Sequence, residues 1–286
     1  MQARFRALLH YIDAHLNEAL SSEQLSAVAC LSRFHFHRQF SARFGIGVAE
    51  YVKLTRLKRA SYQLAFRPNS SVIDIALQCG FESPEAFTRA FKKRLAQSPS
   101  TFRAQPDWPA WTLAFQPLQK LRMDHMNTER RLDEVQLVCF EETRVAALEH
   151  RGDPAALGDS IRKFIAWRRE HRLPPAKHAT FNLLYDDPAD VGPEAFRLDL
   201  CVATDIDEAS MRDGIVPKVI AGGRCALLRH IGSDETLGDA IRWLYATWLP
   251  DSGETPRDFP LFVKRQRFFP DVPEHEAVTD IYLPIE

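Results

Sequence analysis

The sequence predicts a two-part chain: an all-α domain holding two helix-turn-helix units, then an α+β domain of two pseudo-symmetric strand-helix-strand-strand repeats. Three observations predict it. A short pattern occurs twice, about fifty residues apart: Leu25 to Ser32 followed by Phe36, Arg38 and Phe40, and Ile75 to Ser83 followed by Phe87, Arg89 and Phe91. A longer pattern recurs at a spacing of eighty, residues 144–167 against 224–247, with 11 of 24 positions identical. The charge divides along the same line. Residues 1–105 hold 15 Lys and Arg against 7 Asp and Glu, whereas the whole chain carries a net −1, so the second part is as acidic as the first is basic.

From Arg4 to Leu16, Phe5, Leu8, Leu9 and Ile12 fall at helical spacing and predict a first helix. In each short repeat an apolar helix carries a small residue, Ser26 or Ala76, where another helix must approach closely. A tight turn follows, and then Ser32 or Ser83 is placed to cap a second helix. That second helix has Phe on its inner face and Arg, His or Thr on its outer face. Between the units, residues 48–66 read as one helix of ~27 Å, enough to hold two reading helices about one DNA turn, ~34 Å, apart. Residues 106–128, with Pro106, Pro109 and Pro117 among aromatic side chains, read as an interdomain linker packed against something. The expected domain limits are therefore 1–105, 106–128 and 129–286. In the last part, residues 180–185, 197–203, 261–268 and 279–285 read as strands, with Asp199 and Asp280 in equivalent places.

The outer face of the first reading helix offers Arg33, Phe34, His37 and Arg38. The second offers Glu85, Ala86, Thr88 and Arg89, with Lys92 and Lys93 further along. Arg donates in bidentate fashion to guanine, and Ala and the Thr methyl pack on thymine methyls. Lys92 and Lys93 are better placed for phosphates. Arg38 and Arg89 occupy the same position in both units, so an ion pair serving the fold is the competing role for each. Double-stranded DNA is the partner these residues imply.

Other chemistries find little support. The five Cys are odd in number and scattered, which fits core side chains in a reducing cytoplasm. His150 and His230 recur at equivalent strand positions with no third ligand in evidence, so no metal and no cofactor is expected. No apolar run approaches the ~20 residues of a membrane span, and no catalytic motif such as GxSxG or HExxH occurs. The expectation is a cytoplasmic protein that is not an enzyme.

Residues 5–104 resemble the DNA-binding domain of the AraC family of transcription regulators. Asp74-Ile-Ala-Leu-Gln-Cys-Gly-Phe-Glu-Ser83 with Phe87-Thr-Arg-Ala-Phe-Lys92 is close to that family's signature. One departure is Cys30, where the family has Gly in the turn; Cys fits there if φ stays negative. The resemblance implies RNA polymerase as a further partner.

About residues 130–286 resemble the GyrI-like effector-binding domain, on Arg224-Cys-Ala-Leu-Leu-Arg-His-Ile-Gly232 and the closing Thr279-Asp-Ile-Tyr-Leu-Pro-Ile285. This implies a small effector, often lipophilic or cationic, in a cleft with a carboxylate from the last strand, here Asp280, which is expected to favour ligands with a positive or hydrogen-bond-donating group. The preceding strand has Val263 and Arg265 where the family often has Glu and Tyr. Asp280, Trp167, Phe181, Trp243 and Tyr282 are the expected effector residues, and an ion pair of Asp280 with Arg265 is the competing role for that carboxylate. Two alternatives stay open: a protein-interaction module, or a GyrI-like hydrolase. The hydrolase needs a carboxylate and an aromatic hydroxyl beside one water, and Asp280 and Tyr282 are expected on opposite sides of their strand.

Overall fold

The computed structural model describes residues 2–126 and 130–286. The chain divides into a helical unit ending at residue 127, with which the short segment Pro273–His275 is grouped, and a sheet unit made of the remainder.

In the helical unit, α1 (Gln2–Ala14) buries Phe5, Leu8, Leu9 and Ile12. The first helix-turn-helix unit is α2 (Ser22–Val28) and α3 (Arg33–Phe44), the second α5 (Val72–Gln78) and α6 (Pro84–Leu95), joined by α4 (Val48–Phe66). Ser21 caps helix α2, accepting from the Gln24 amide while the Gln24 side chain accepts from the Ser21 amide. Ser83 accepts from the Ala86 amide, and Pro84 opens α6 where no amide donor is missed. Ser32 makes no such bond. Phe36, Phe40, Phe87 and Phe91 are fully buried, and Ser26 and Ala76 sit in the core as close-approach positions.

The turn of the first unit departs from expectation. Cys30 adopts φ +52°, inside the left-handed region rather than at negative φ. The side chain is exposed, so nothing but local strain opposes it. Its counterpart Gly80 has φ +75°, and there a Cβ would stand 2.1 Å from the Leu16 carbonyl oxygen.

Residues 106–128, expected as a linker, hold instead a helix, α8 (Trp108–Met126), preceded by the short α7 (Pro99–Ala104). Trp108, Trp111, Phe115, Leu118 and Leu121 are buried; Trp108 stacks on Phe66, and the Trp111 indole donates to Ser61 Oγ. Pro109 lies in the first turn, where a missing amide costs nothing, so the proline-rich composition does not forbid a helix there. Further along α8, Arg122 is buried against the Asp13 carboxylate and the Tyr51 hydroxyl.

The sheet unit is one eight-stranded antiparallel sheet in the order β1-β6-β8-β7-β3-β4-β2-β5. The repeated strands are β2 (Thr143–Arg151), β3 (Thr180–Leu184) and β4 (Arg197–Ala203), then β6 (Gly223–Ile231), β7 (Leu261–Arg267) and β8 (Val278–Pro284). The helices of the repeats are α9 (Leu157–Glu170) and α10 (Leu237–Trp243); the latter runs through a π-helical turn, Leu244–Trp248, into α11 (Leu249–Ser252). A pseudo-two-fold axis passes between β3 and β7, which pair Phe181 with Lys264 and Leu183 with Phe262.

Each repeat also has a leading strand beyond the four expected elements: β1 (Val135–Phe140) and β5 (Ile215–Ile220). They cross over. β1 pairs with β6 of the second repeat, and β5 with β2 of the first. The helices cover one face of the sheet: α9 packs on Ala146, Leu148, Leu198, Leu200 and Val202, and α10 and its continuation on Ala226, Leu228, Val263, Ile281 and Leu283. The alternate side chains, Val145, Ala147, Phe181, Leu183, Cys201, Cys225 and Phe262, gather on the opposite face.

Candidate nucleic-acid interface and ligand groove

On the helical unit, burying Phe36 and Phe40 turns the rest of α3 outward. Arg33, Phe34, His37 and Arg38 are exposed, Phe34 to 88%. An exposed Phe beside cations is a poor choice for a merely solvated helix and a good one for packing against bases. Arg33 pairs with Glu23 at 2.6 Å, both ends in solvent, where such a pair is weak and easily exchanged. On α6, Glu85, Thr88, Arg89, Lys92 and Lys93 are exposed and Ala86 is half-buried. The Thr88 hydroxyl donates back to the Pro84 carbonyl, which leaves its methyl as the feature turned outward. Lys92 and Lys93 lie in the last turn, where they also offset the helix dipole. Among the described residues neither Arg38 nor Arg89 makes an ion pair, so the fold-serving role weighed for them has no partner here.

On the sheet unit, the face free of helices carries a groove. A cavity of about 340 Å³ is lined by Val138, Phe140, Ala179, Phe181, Leu227 and Tyr282, with Cys139, Glu141, Thr143 and Lys264 completing its wall. The floor is aromatic: Tyr282 stacks on Phe262 with centroids 5.0 Å apart, and Phe140 meets the Phe262, Tyr282 and Phe181 rings within 6.0 Å.

Of the residues expected to meet an effector, Phe181 and Tyr282 line this cavity, and Trp167 and Trp243 do not. Trp167 is buried between α9 and the sheet, and Trp243 packs on the α10 core, both on the face opposite the groove. A helix that covers a sheet spends its aromatic side chains on that contact. Only sheet side chains of the other parity reach the groove. The same parity corrects two further expectations. Asp280 and Tyr282 stand two positions apart and therefore share a face. Val263 belongs to the helix-side core and Arg265 bonds to Asn182 on that side, so the groove positions of β7 are Phe262, Lys264 and Gln266.

Asp280 does reach the groove face, but already matched. Both its oxygens meet the Arg229 guanidinium, at 2.7 and 3.0 Å, and Oδ2 also accepts from Gln266 at 2.8 Å. The partner is Arg229 and not Arg265. Burial by itself raises the Asp280 pKa, but the bonds from Arg229 and Gln266 and the charge of Lys264 outweigh it and bring it below the ordinary value.

The symmetry mate Asp199 is also matched. Arg151 Nη1 lies 2.9 Å from Oδ1, while Lys218 Nζ and the Tyr185 hydroxyl lie 2.6 and 2.7 Å from Oδ2. Burial, and then the neighbouring Asp199, push the Tyr185 phenol up to about 12. Lys218 also pairs with Glu149; burial works against its charge, but its bonds to Asp199 and Glu149 raise its pKa. Both aspartates are thus held by basic side chains.

His150 bonds to Ser160, and His230 to the Ser233 carbonyl and Thr236, as duplicated structural residues do. Lys264, Phe140 and Val138 were not found from the sequence. Lys264 was discoverable, since it alternates with Phe262 along a strand already recognised.

Comparison with known proteins agrees with this division. The chain matches the family of GyrI-like small molecule binding domains over residues 133–286 and a helix-turn-helix domain over residues 25–105. It is 35% identical over 153 residues to YgiV of Escherichia coli (strain K12), named a probable transcriptional regulator, covering 53% of this chain and 96% of that one. To the transcriptional regulator Rob of Salmonella typhimurium it is 26% identical over 261 residues, covering 86% of this chain and 84% of Rob. The DNA-binding domain of AdpA, solved in complex with a target DNA, is 32% identical, covers 34% of this chain and 86% of its own, and superposes with a TM-score of 0.33. No helix among the described residues is long and apolar enough to cross a membrane. The chain belongs to the GyrI-like family, as an AraC-type DNA-binding regulator of transcription whose helix-turn-helix domain precedes a GyrI-like domain.

Proposed function

We propose that the chain reads duplex DNA through the outer faces of α3 and α6 and that a small molecule held in the sheet groove tunes this activity. The observation that carries the first half is the row Arg33, Phe34, His37 and Arg38, exposed on a helix whose opposite face is all buried Phe. Arg38 and Arg89 then donate to base edges, and Lys92 and Lys93 hold phosphates. The second half is supported by a cavity of about 340 Å³ with an aromatic floor, a shape that suits a compact ligand better than a flat protein partner. RNA polymerase is the further partner consistent with a regulator of this type.

A pair of substitutions tests the DNA contacts in the full chain. Arg38→Ala costs about 1–3 kcal/mol on the specific site and relaxes preference at one or two base pairs. Lys93→Ala weakens specific and nonspecific DNA alike and lowers the slope of log affinity against log salt by about one. Undiminished operator binding by the Arg38 variant would remove it from the interface.

A further inference from the structure

The charges of the groove decide what kind of ligand it takes. The two buried aspartates on the groove's face of the sheet are both occupied: Asp199 by Arg151, Lys218 and Tyr185, and Asp280 by Arg229 and Gln266. A carboxylate already filled by a bidentate guanidinium and an amide has little left for a cationic guest, because capturing it would strand a guanidinium.

Lys264 is the charge left over. It sits opposite Asp280 in the β7–β8 register and lines the cavity, and its ammonium stands 6.0 Å from the centre of the Phe181 ring. Asp280 is committed to Arg229 on both oxygens, so the cluster of Arg229, Lys264 and Asp280 keeps one positive charge. Among the described residues Lys264 makes no ion pair. The other charged side chain of the wall, Glu141, is exposed, where water screens it. Half-buried, and sharing the Asp280 charge with Arg229, this ammonium is only partly compensated, and an incoming anion completes that compensation.

We infer that the groove selects an apolar, aromatic ligand carrying one negative charge, a carboxylate or sulfonate that pairs with Lys264 while its rings lie over Phe140, Phe181 and Tyr282. This rests on the reading of the groove as a ligand site. The cavity, at about 340 Å³, is at the small end of the usual range of about 300–1,000 Å³ and fits a compact aromatic anion. Lys264 is then the residue that sets specificity, and the two matched aspartates hold the strands that shape the cleft.

Three probes of similar aromatic character and different charge test this on the full chain. They are 8-anilinonaphthalene-1-sulfonate, the uncharged N-phenyl-1-naphthylamine, and the tetraphenylphosphonium cation. Fluorescence titration of the first two and calorimetry of the third give the affinities. The expected order is sulfonate first, by about ten-fold over the uncharged probe, with the cation last, since a charge-assisted contact in a partly dry site is worth about that factor. Lys264→Met brings the sulfonate down to the uncharged probe and leaves the latter unchanged, and Lys264→Arg keeps the preference.

Equal affinity for the two naphthyl probes, or tighter binding of the cation, overturns the charge assignment while leaving the groove a ligand site. Ala179→Trp, which fills the cavity, separates the underlying reading. If the probes bind without saturation, or bind as well after Ala179→Trp, the groove is not their site and both readings fall. Should Lys264→Met not fold, the order of the three probes on the native chain decides alone.

Discussion

Gly80 gives the sharpest test of how the second reading helix is held. It ends α5 at φ +75°, and a Cβ built there would lie 2.1 Å from the Leu16 carbonyl oxygen and 2.8 Å from the Arg56 guanidinium carbon. That carbonyl is itself held: Arg56 Nε donates to it at 2.9 Å, and Nη2 donates to the Glu18 carbonyl at 2.6 Å. Gly80→Ala therefore acts twice. The left-handed conformation costs an L-residue about 1–2 kcal/mol. The clash is with backbone, so the Leu16 segment must retreat and weaken at least one hydrogen bond from a charged donor, worth about 1.5–3 kcal/mol. The expected loss is about 3–5 kcal/mol, a large share of the ~5–15 kcal/mol that stabilises a domain. Gly45→Ala is the control. Its φ is +72° but nothing lies within 4 Å of the added carbon, so only the conformational cost of about 1–2 kcal/mol applies. Amide hydrogen exchange on the full chain, followed in α5 and α6, reads the difference as roughly 100-fold faster exchange for a loss of about 3 kcal/mol. If Gly80→Ala is no worse than Gly45→Ala, the turn does not seat against residue 16 as described. At the matching place in the first unit, Cys30→Gly relieves strain in an open position, and a gain of up to about 1 kcal/mol is expected.

Two further outcomes are expected. Asp280 has a folded pKa below its ordinary value, so its contribution to stability is complete above about pH 4 and fades as the pH falls through the folded value. Asp280→Asn then costs about 1–3 kcal/mol at pH 7, and the gap in melting temperature narrows on acidification below about pH 4. A gap that stays constant to pH 3 would show that the carboxylate charge contributes nothing. Toward a disulfide reagent at pH 8, Cys30 and Cys139 react quickly because they are exposed. Burial protects the others, raising the Cys79 thiol to about 12, Cys225 to about 11, and Cys201 further still. A third fast thiol in the native protein would contradict that packing.

The two helix-turn-helix units were legible because each carries its whole logic locally: a small contact residue, a turn, a Ser just ahead of the second helix and two inward Phe. The internal repeat of the second half was legible as far as the likeness extended, from Arg144 and from Arg224. β1 and β5 lie ahead of that stretch and have mostly exposed or half-buried side chains, so little apolar alternation marked them. Helix α8 was hidden by Pro109 and Pro117, whose composition resembles a linker even though one opens the helix and the other is accommodated within it. The groove was only partly legible. Trp167 and Trp243 drew attention as large aromatics at helical spacing, yet that spacing commits them to the helix–sheet contact. Which strand residues share a face follows from counting by twos, and this places Asp280, Tyr282, Phe262 and Lys264 together.

The crossing of β1 and β5 has a consequence for how the sheet unit is put together. Each repeat supplies the border strand of the other, so neither half is a self-sufficient module. Severed between β4 and β5, the first fragment would hold β1 with no β6 to receive it and leave β2 lacking its outer neighbour, and the second fragment would mirror that deficit. Two copies of a single repeat would meet each other's deficits in the same way, because the operation relating them here is a two-fold rotation. The present unit is thus the tethered form of a strand-exchanged homodimer, with the tether fixing the stoichiometry. Tethering also frees the two halves to diverge, as they have where Leu183 stands on one side of the axis and Lys264 on the other.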